Sequence, residues 1–422
     1  MFSFNKIEKV SGILNLVGDK SISHRVLILA ALAKGKSSIL NLSDSLDVNS
    51  TLSVLTDLGI GFNRVKNRID VFGGELKRSN NNLYCGNSGT TARLMAGVLA
   101  IQNFVSVLTG DDSLTKRPMG RVIKPLLKFG AQLNANEGNF LPLEIIPSDL
   151  LQPIEWNSEI ASAQVKSCVL LAGLFFDDNT IYYEKNSTRN HTELLLNLDV
   201  EDTDYGKKIR VSKKNFPSAV EYFVPNDISS AAFFIVLTLL SKNSVLKITD
   251  VSLNEQRISY INVLKEMGGK ISFDNIRESN REVFGDITVE SSELRNVEIP
   301  LQIIPEIIDE IPILSVAGLL AEDSFYIRGA KELRVKESDR IDALCKNYRR
   351  IGLDVEEFSD GFAVSGEIRN KINIFQSFND HRIAMAMAIL SLLLDNGGKI
   401  DNFECVKISN PNFVNQIKNI CR

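Results

Sequence analysis

Leu126-Leu127-Lys128-Phe129-Gly130-Ala131 reads as the last turn of an apolar helix, then a glycine, then the start of a strand. A helix C-terminus favours a residue that tolerates the left-handed conformation, so the glycine has a physical role at the point where the chain turns. The same pattern recurs as Leu55-Thr56-Asp57-Leu58-Gly59-Ile60, Leu195-Leu196-Asn197-Leu198-Asp199-Val200, Leu264-Lys265-Glu266-Met267-Gly268-Gly269 and Arg349-Arg350-Ile351-Gly352-Leu353. Anchored at Gly59, Gly130, Asp199, Gly268 and Gly352, the spacings are 71, 69, 69 and 84 residues, and a sixth helix over Phe413–Ile420 falls about one period later. Six units of about 70 residues therefore account for all 422 residues. Short β-rich stretches lie between the helix ends, at 37–42, 105–108, 180–184, 244–248 and 324–327, which makes each unit α/β. The pattern breaks at Tyr222-Phe223-Val224-Pro225-Asn226-Asp227, just before the apolar run 231–240, and leaves three units on each side.

A chain of 422 residues is long enough for at least two domains with real cores. Forty-eight Lys and Arg against 52 Asp and Glu give a net charge of −4, so nothing draws the chain in bulk to nucleic acid or an anionic membrane. Any anion it binds has to be caught locally. The first ten residues lack the pattern of a signal peptide, and the run 231–240 is half of the roughly 20 residues a membrane span needs, so a cytoplasmic protein is expected. Five scattered cysteines without a C-x-x-C pair argue against a disulfide framework and a zinc site, and three histidines show no metal-ligand spacing. No metal or cofactor is expected. Lys34-Gly35-Lys36-Ser37 ends like a phosphate-binding loop, but Ala30 stands where the first glycine is needed.

Cations gather at helix starts, where the macrodipole disfavours them by about 0.3–1 kcal/mol unless an anion offsets it. Gly18-Asp19-Lys20-Ser21-Ile22-Ser23-His24-Arg25 opens an apolar helix with two cations and two hydroxyls. Gly86-Asn87-Ser88-Gly89-Thr90-Thr91-Ala92-Arg93 is a glycine-interrupted turn whose backbone amides suit an anion. Asn379-Asp380-His381-Arg382 again puts a cation in a first turn. Pro118 pushes Arg117 out of helical conformation to a loop edge. In Arg334-Val335-Lys336-Glu337-Ser338-Asp339-Arg340, helical spacing would align Lys336 with Arg340 and pair Glu337 with Arg340. Ile307-Ile308-Asp309-Glu310-Ile311-Pro312-Ile313-Leu314 sets two carboxylates in an apolar segment, where at least one is expected to be paired or functional. Together these segments point to a strongly anionic ligand.

Six blocks resemble, in order, the signature segments of the 3-phosphoshikimate 1-carboxyvinyltransferase (EPSP synthase) family of enolpyruvyl transferases: 18–25, 86–90, 116–119, Ser162-Ala163-Gln164-Val165-Lys166-Ser167, 334–340 and 379–382. The resemblance implies a two-domain inverse α/β barrel, each domain three β-α-β-α-β-β units about a pseudo-threefold axis. It implies one discontinuous domain of 1–16 plus 227–422, an inserted domain of 17–226, and an active site in the cleft between them. Shikimate 3-phosphate would then meet Lys20, Ser21, Arg25, Ser162, Ala163, Gln164, Thr188, Asp309 and Lys336. Phosphoenolpyruvate would meet Lys20, Gly89, Arg117, Gln164, Arg340 and Arg382. Asp309 would act as base toward the 5-hydroxyl, with Glu337 and Lys20 handling the proton at the methylene carbon. Thr188 stands where the family often has serine, beside Ser187; Ile408 stands where some members carry a lysine before a proline, beside Lys407.

Two rival readings stand beside this one. The sister enzyme acting on UDP-N-acetylglucosamine uses a reactive cysteine in a mobile loop, and 109–121 contains none. A non-catalytic phosphosugar-binding protein would not need Asp309 and Glu337 to face its ligand. A monomer acting on two small molecules, without nucleic acid or membrane partners, is the expectation.

Overall fold

A computed structural model of the chain describes residues 1–369 and 374–421. Two compact units emerge, one of 18–224 with the turn 278–282, the other of 1–17, 225–277 and 283–422. Val17, Pro225 and Asn226 thus cluster with the second unit and the 278–282 turn with the first, a division that differs at these points from the one read off the sequence.

Each unit is built on helices that are apolar all round and therefore cannot lie on a surface. In the 18–224 unit these are Lys20–Leu32, Gly89–Leu99 and Ala163–Gly173; in the other they are Ile228–Leu240, Ile311–Leu319 and His381–Leu393. Each helix lies against its own sheet, and among the described residues there are three sheets per unit. The sheets repeat one design. Glu221–Phe223 runs parallel to Gly35–Leu40, which pairs antiparallel with Arg68–Gly73, which pairs antiparallel with Gly61–Val65. The same order, parallel then twice antiparallel, describes the sheets around Ser106–Thr109 and Thr180–Glu184. In the second unit, Val245–Ser252 likewise runs parallel to Ser11–Leu14 and antiparallel to Glu282–Glu290. Helices inside and strands outside, three times over, give the two-domain inverse α/β fold.

The periodic anchors are the residues that end helices. Gly59, Gly130, Gly268 and Gly352 have φ of 90°, 91°, 103° and 88°. In the remaining repeat the anchor is Asn197, left-handed at φ 51°, while Asp199 already begins the strand Asp199–Thr203. Asparagine readily adopts this conformation, so the helix of this repeat ends two positions before the residue that the spacing marks. Gly97 serves a different purpose: a Cβ there would come within 2.2 Å of the Cys168 carbonyl oxygen, so only glycine lets the Gly89–Leu99 and Ala163–Gly173 helices pack at this distance.

Candidate active site

In the 18–224 unit the three buried helices begin with side-chain caps that satisfy their free amides. Asp19 accepts from Ile22 N, Ser88 from Thr91 N and Ser162 from Val165 N. A helix N-terminus carries further amides and a positive dipole end that suit an anion. Lys20, first residue of its helix, donates to Asp47 at 2.9 Å. Arg25, only 3% exposed, spans three partners: Thr192 Oγ1 at 2.8 Å, Ser167 Oγ at 2.7 Å and the Ser21 carbonyl at 2.8 Å. Burial pushes the Arg25 guanidinium down to about 10, still charged at neutral pH. Ser21 accepts from Arg189 at 3.3 Å. Gln164 receives Arg93 at 2.5 Å and donates to Thr90 at 2.9 Å. Arg117 is extended at ψ 133°, as Pro118 requires, and its guanidinium donates to Asn87 Oδ1 at 2.7 Å and Ser113 at 3.0 Å. A Cβ on Gly89 would lie 3.2 Å from the Arg93 and 3.7 Å from the Arg117 guanidinium, so this position has to stay small. Thr188 is buried and gives its hydroxyl proton to Glu184, leaving only lone pairs for a ligand. Ala163, the first residue of its helix, offers a backbone amide.

The other unit gathers carboxylates and cations around Arg340. Asp309 lies between the helices Ile304–Ile307 and Ile311–Leu319, and accepts from Lys336 and Arg340, both at 3.3 Å. Arg340, 1% exposed, also pairs with Asp380 at 2.8 Å and Glu337 at 2.5 Å. Burial alone would push the Asp380 carboxyl up, but Arg340 beside it prevails and holds it below the ordinary carboxylate value. Arg382 donates to the Asp309 carbonyl at 2.7 Å, Ser229 at 3.2 Å and Glu310 at 3.4 Å. The helical alignment of Lys336 with Arg340 does not exist: Lys331–Val335 is a 3-10 turn, Lys336 is extended, and the helix starts at Arg340 behind its cap Asp339. Both cations meet instead at Asp309. Arg340 is buried, and the charges of three carboxylates offset its desolvation.

The sequence-predicted residues thus fall into two sets, one per unit. Asp47, Arg189, Arg93 and Lys166 in the first, and Arg257, Ser229 and Glu310 in the second, complete them. Arg257 is buried and donates to Ser229 at 2.6 Å; Ser229 in turn donates to Glu310. Lys407 pairs with Glu404 and is more than half exposed. Cys85 is buried, and burial pushes its thiol up to about 12, which makes it a poor nucleophile. No group of metal-ligating side chains occurs among the described residues. No helix among them is long and apolar enough to cross a membrane.

Against known proteins, the family described as EPSP synthase (3-phosphoshikimate 1-carboxyvinyltransferase) matches residues 4–417. The 3-phosphoshikimate 1-carboxyvinyltransferase of Petrotoga mobilis is 45% identical over 415 residues, 96% of each chain. That of Salinibacter ruber is 41% identical over 425 residues, 99% of each. Among solved structures, an EPSP synthase from Acinetobacter baumannii superposes with a TM-score of 0.87 at 34% identity, covering 99% of this chain and 97% of that one. The enolpyruvyl transferase NikO from Streptomyces tendae, at 14% identity and a TM-score of 0.76 over 100% of this chain and 97% of its own, shares the fold.

Proposed function

Because the chain belongs to the EPSP synthase family, and so transfers the carboxyvinyl group of phosphoenolpyruvate to the 5-hydroxyl of shikimate 3-phosphate with release of phosphate, we propose that its two residue sets divide this reaction. The 18–224 unit supplies anion binding. Lys20, Ser21, Arg25, Ser162, Ala163, Gln164 and Thr188 take shikimate 3-phosphate; Lys20, Gly89, Arg117 and Gln164 take phosphoenolpyruvate. The other unit adds Arg340 and Arg382 for phosphoenolpyruvate, Lys336 for shikimate 3-phosphate, and the two carboxylates of the proton chemistry. Asp309 accepts the proton of the 5-hydroxyl as its oxygen attacks C2 of phosphoenolpyruvate. Glu337 and Lys20 handle the proton delivered to the methylene carbon and withdrawn from it when phosphate leaves.

One observation carries this assignment. Four carboxylates surround Arg340 and Arg382, and they differ in access: the side chains of Asp380 and Glu310 are 0% exposed, those of Asp309 and Glu337 are 15% and 20% exposed. A sealed carboxylate only braces a cation; a proton carrier has to be reachable. The two reachable ones are the two the chemistry needs, and a protein that merely bound phosphosugars would gain nothing from exposing them.

The same reading places the enzyme in the cytoplasm as a monomer that needs no cofactor. Its test is a phosphate-release assay. Phosphate should appear only when phosphoenolpyruvate and shikimate 3-phosphate are both present, and UDP-N-acetylglucosamine should not replace the latter. Release driven by the nucleotide sugar would favour the sister activity.

A further inference from the structure

We propose that Lys166, which is not itself assigned to either ligand, is the positioning residue that sets the shikimate 3-phosphate half of the site by holding the segment 185–190 at its middle and at both flanks. The inference rests on the assignment of Ser21, Arg25 and Thr188 made above.

Segment 185–190 joins the strand Thr180–Glu184 to the helix His191–Leu196 and carries Thr188 and Arg189. The Lys166 side chain is 0% exposed, and its ammonium has three N–H donors and no acceptor. It donates to Glu184 at 2.9 Å, to the Thr188 carbonyl at 3.1 Å and to Glu193 at 2.7 Å. These acceptors sit before the segment, in its middle and after it. One buried charge therefore fixes the whole course of the segment. Glu184 passes the constraint on by accepting the Thr188 hydroxyl. On the next helical position Ser167 bonds Thr192 at 2.7 Å, and both receive the Arg25 guanidinium. Two carboxylates and two cations, Lys166 and Arg25, balance in this buried group. A buried ammonium is costly unless fully paired, and a hydrophobic side chain would fill the same space more cheaply. Its yield here is orientation: Arg189, held in place, reaches Ser21 at 3.3 Å.

The experiment uses the full-length enzyme and measures kcat and both KM values by phosphate release, alongside melting temperature. Lys166→Met should raise KM for shikimate 3-phosphate at least tenfold, with kcat at saturation and KM for phosphoenolpyruvate within about threefold. The variant also leaves two carboxylates against one cation, so a second variant separates orientation from charge balance. Lys166→Met with Glu184→Gln restores neutrality; its melting temperature should recover while its KM for shikimate 3-phosphate stays high. Should KM recover together with stability, Lys166 is a charge-balancing residue and the proposal fails. It fails equally if Lys166→Met folds and binds shikimate 3-phosphate normally. Glu184→Gln alone, which keeps the Lys166 to Glu193 pair, covers the case in which Lys166→Met does not fold; it should raise the same KM threefold or more, and an unchanged KM overturns the proposal. Arg25→Gln reports on the underlying assignment. If it leaves KM for shikimate 3-phosphate unchanged, the site assignment is wrong; if it raises that KM while the Lys166 variants do not, only the positioning role is wrong.

Discussion

Asp309→Asn is the most informative single change. Asparagine keeps an oxygen where Lys336 and Arg340 donate, both at 3.3 Å, but cannot take a proton from a hydroxyl. On the stability side the loss is modest, about 1 kcal/mol, because asparagine keeps a hydrogen bond to both cations and the buried Arg340 retains Asp380 and Glu337. For an enzyme of two domains that size, a loss of about 1 kcal/mol lowers the melting temperature by roughly 2–4 °C. On the kinetic side, removal of a general base costs about 100- to 10,000-fold in kcat, or roughly 2.7–5.4 kcal/mol of barrier. The kinetic effect exceeds the structural one several-fold, so the two can be read separately. Phosphate release at saturating concentrations of both substrates should fall at least about 100-fold, with both KM values changed far less and the unfolding transition intact. A folded variant with kcat within about fivefold of the parent would refute the role of Asp309 as base.

Two further outcomes are expected. Cys85→Ser should leave turnover within about twofold of the parent, since burial keeps that thiol protonated and inert, and loss of turnover in a folded variant would point to the sister chemistry. Asp380→Asn should cost about 3 kcal/mol at pH 7, the low end for breaking a buried pair, because Arg340 retains Glu337 and Asp309. The Asp380 carboxyl is held below its unfolded value of about 3.9, so its contribution is present above that pH and fades as pH falls through the lower folded value. The difference in urea midpoint between parent and variant should therefore shrink between pH 7 and pH 3, and a constant difference would show that the pair does not act through charge.

What the sequence discloses is local. The glycine that ends a helix and the proline that extends Arg117 depend on neighbours within a few residues, and each is found where the sequence predicts it. The Lys336 and Arg340 alignment fails for a local reason too: Asp339 is a better helix cap than Lys336 is a helix residue, so the helix starts at Arg340. Partners distant in the chain leave no trace. Asp47 holds Lys20 from 27 positions away and Glu310 holds Arg382 from 72 away, and no spacing rule connects them. Lys166 is quoted in a motif for its neighbours, yet its own function depends on three acceptors that only the fold brings together.

The two sets of cations are braced by largely different chemistry, which bears on how a chain of net charge −4 would hold the polyanions proposed above. Within their own unit, Arg25, Arg93 and Arg117 donate to hydroxyls, amides and backbone carbonyls, while Lys20 pairs with Asp47. In the other unit Lys336, Arg340 and Arg382 are oriented by Asp309, Glu337, Asp380 and Glu310, which offset their charge. A cation a few ångströms from a carboxylate presents little net field to a third charge, whereas one held by neutral dipoles presents nearly all of its own. Under the proposed assignment, the hydroxyl- and amide-held cations of the first unit suit the capture of phosphate and carboxylate groups. The second provides carboxylates kept at close range to cations, an arrangement suited to moving protons and to stabilising charge as it develops rather than to capturing the ligand. Anion capture and proton transfer make opposite demands on the charge around a cation, and in the proposed assignment each unit leans toward one of them, with Lys20 joining the proton chemistry and Arg340 and Arg382 joining anion binding.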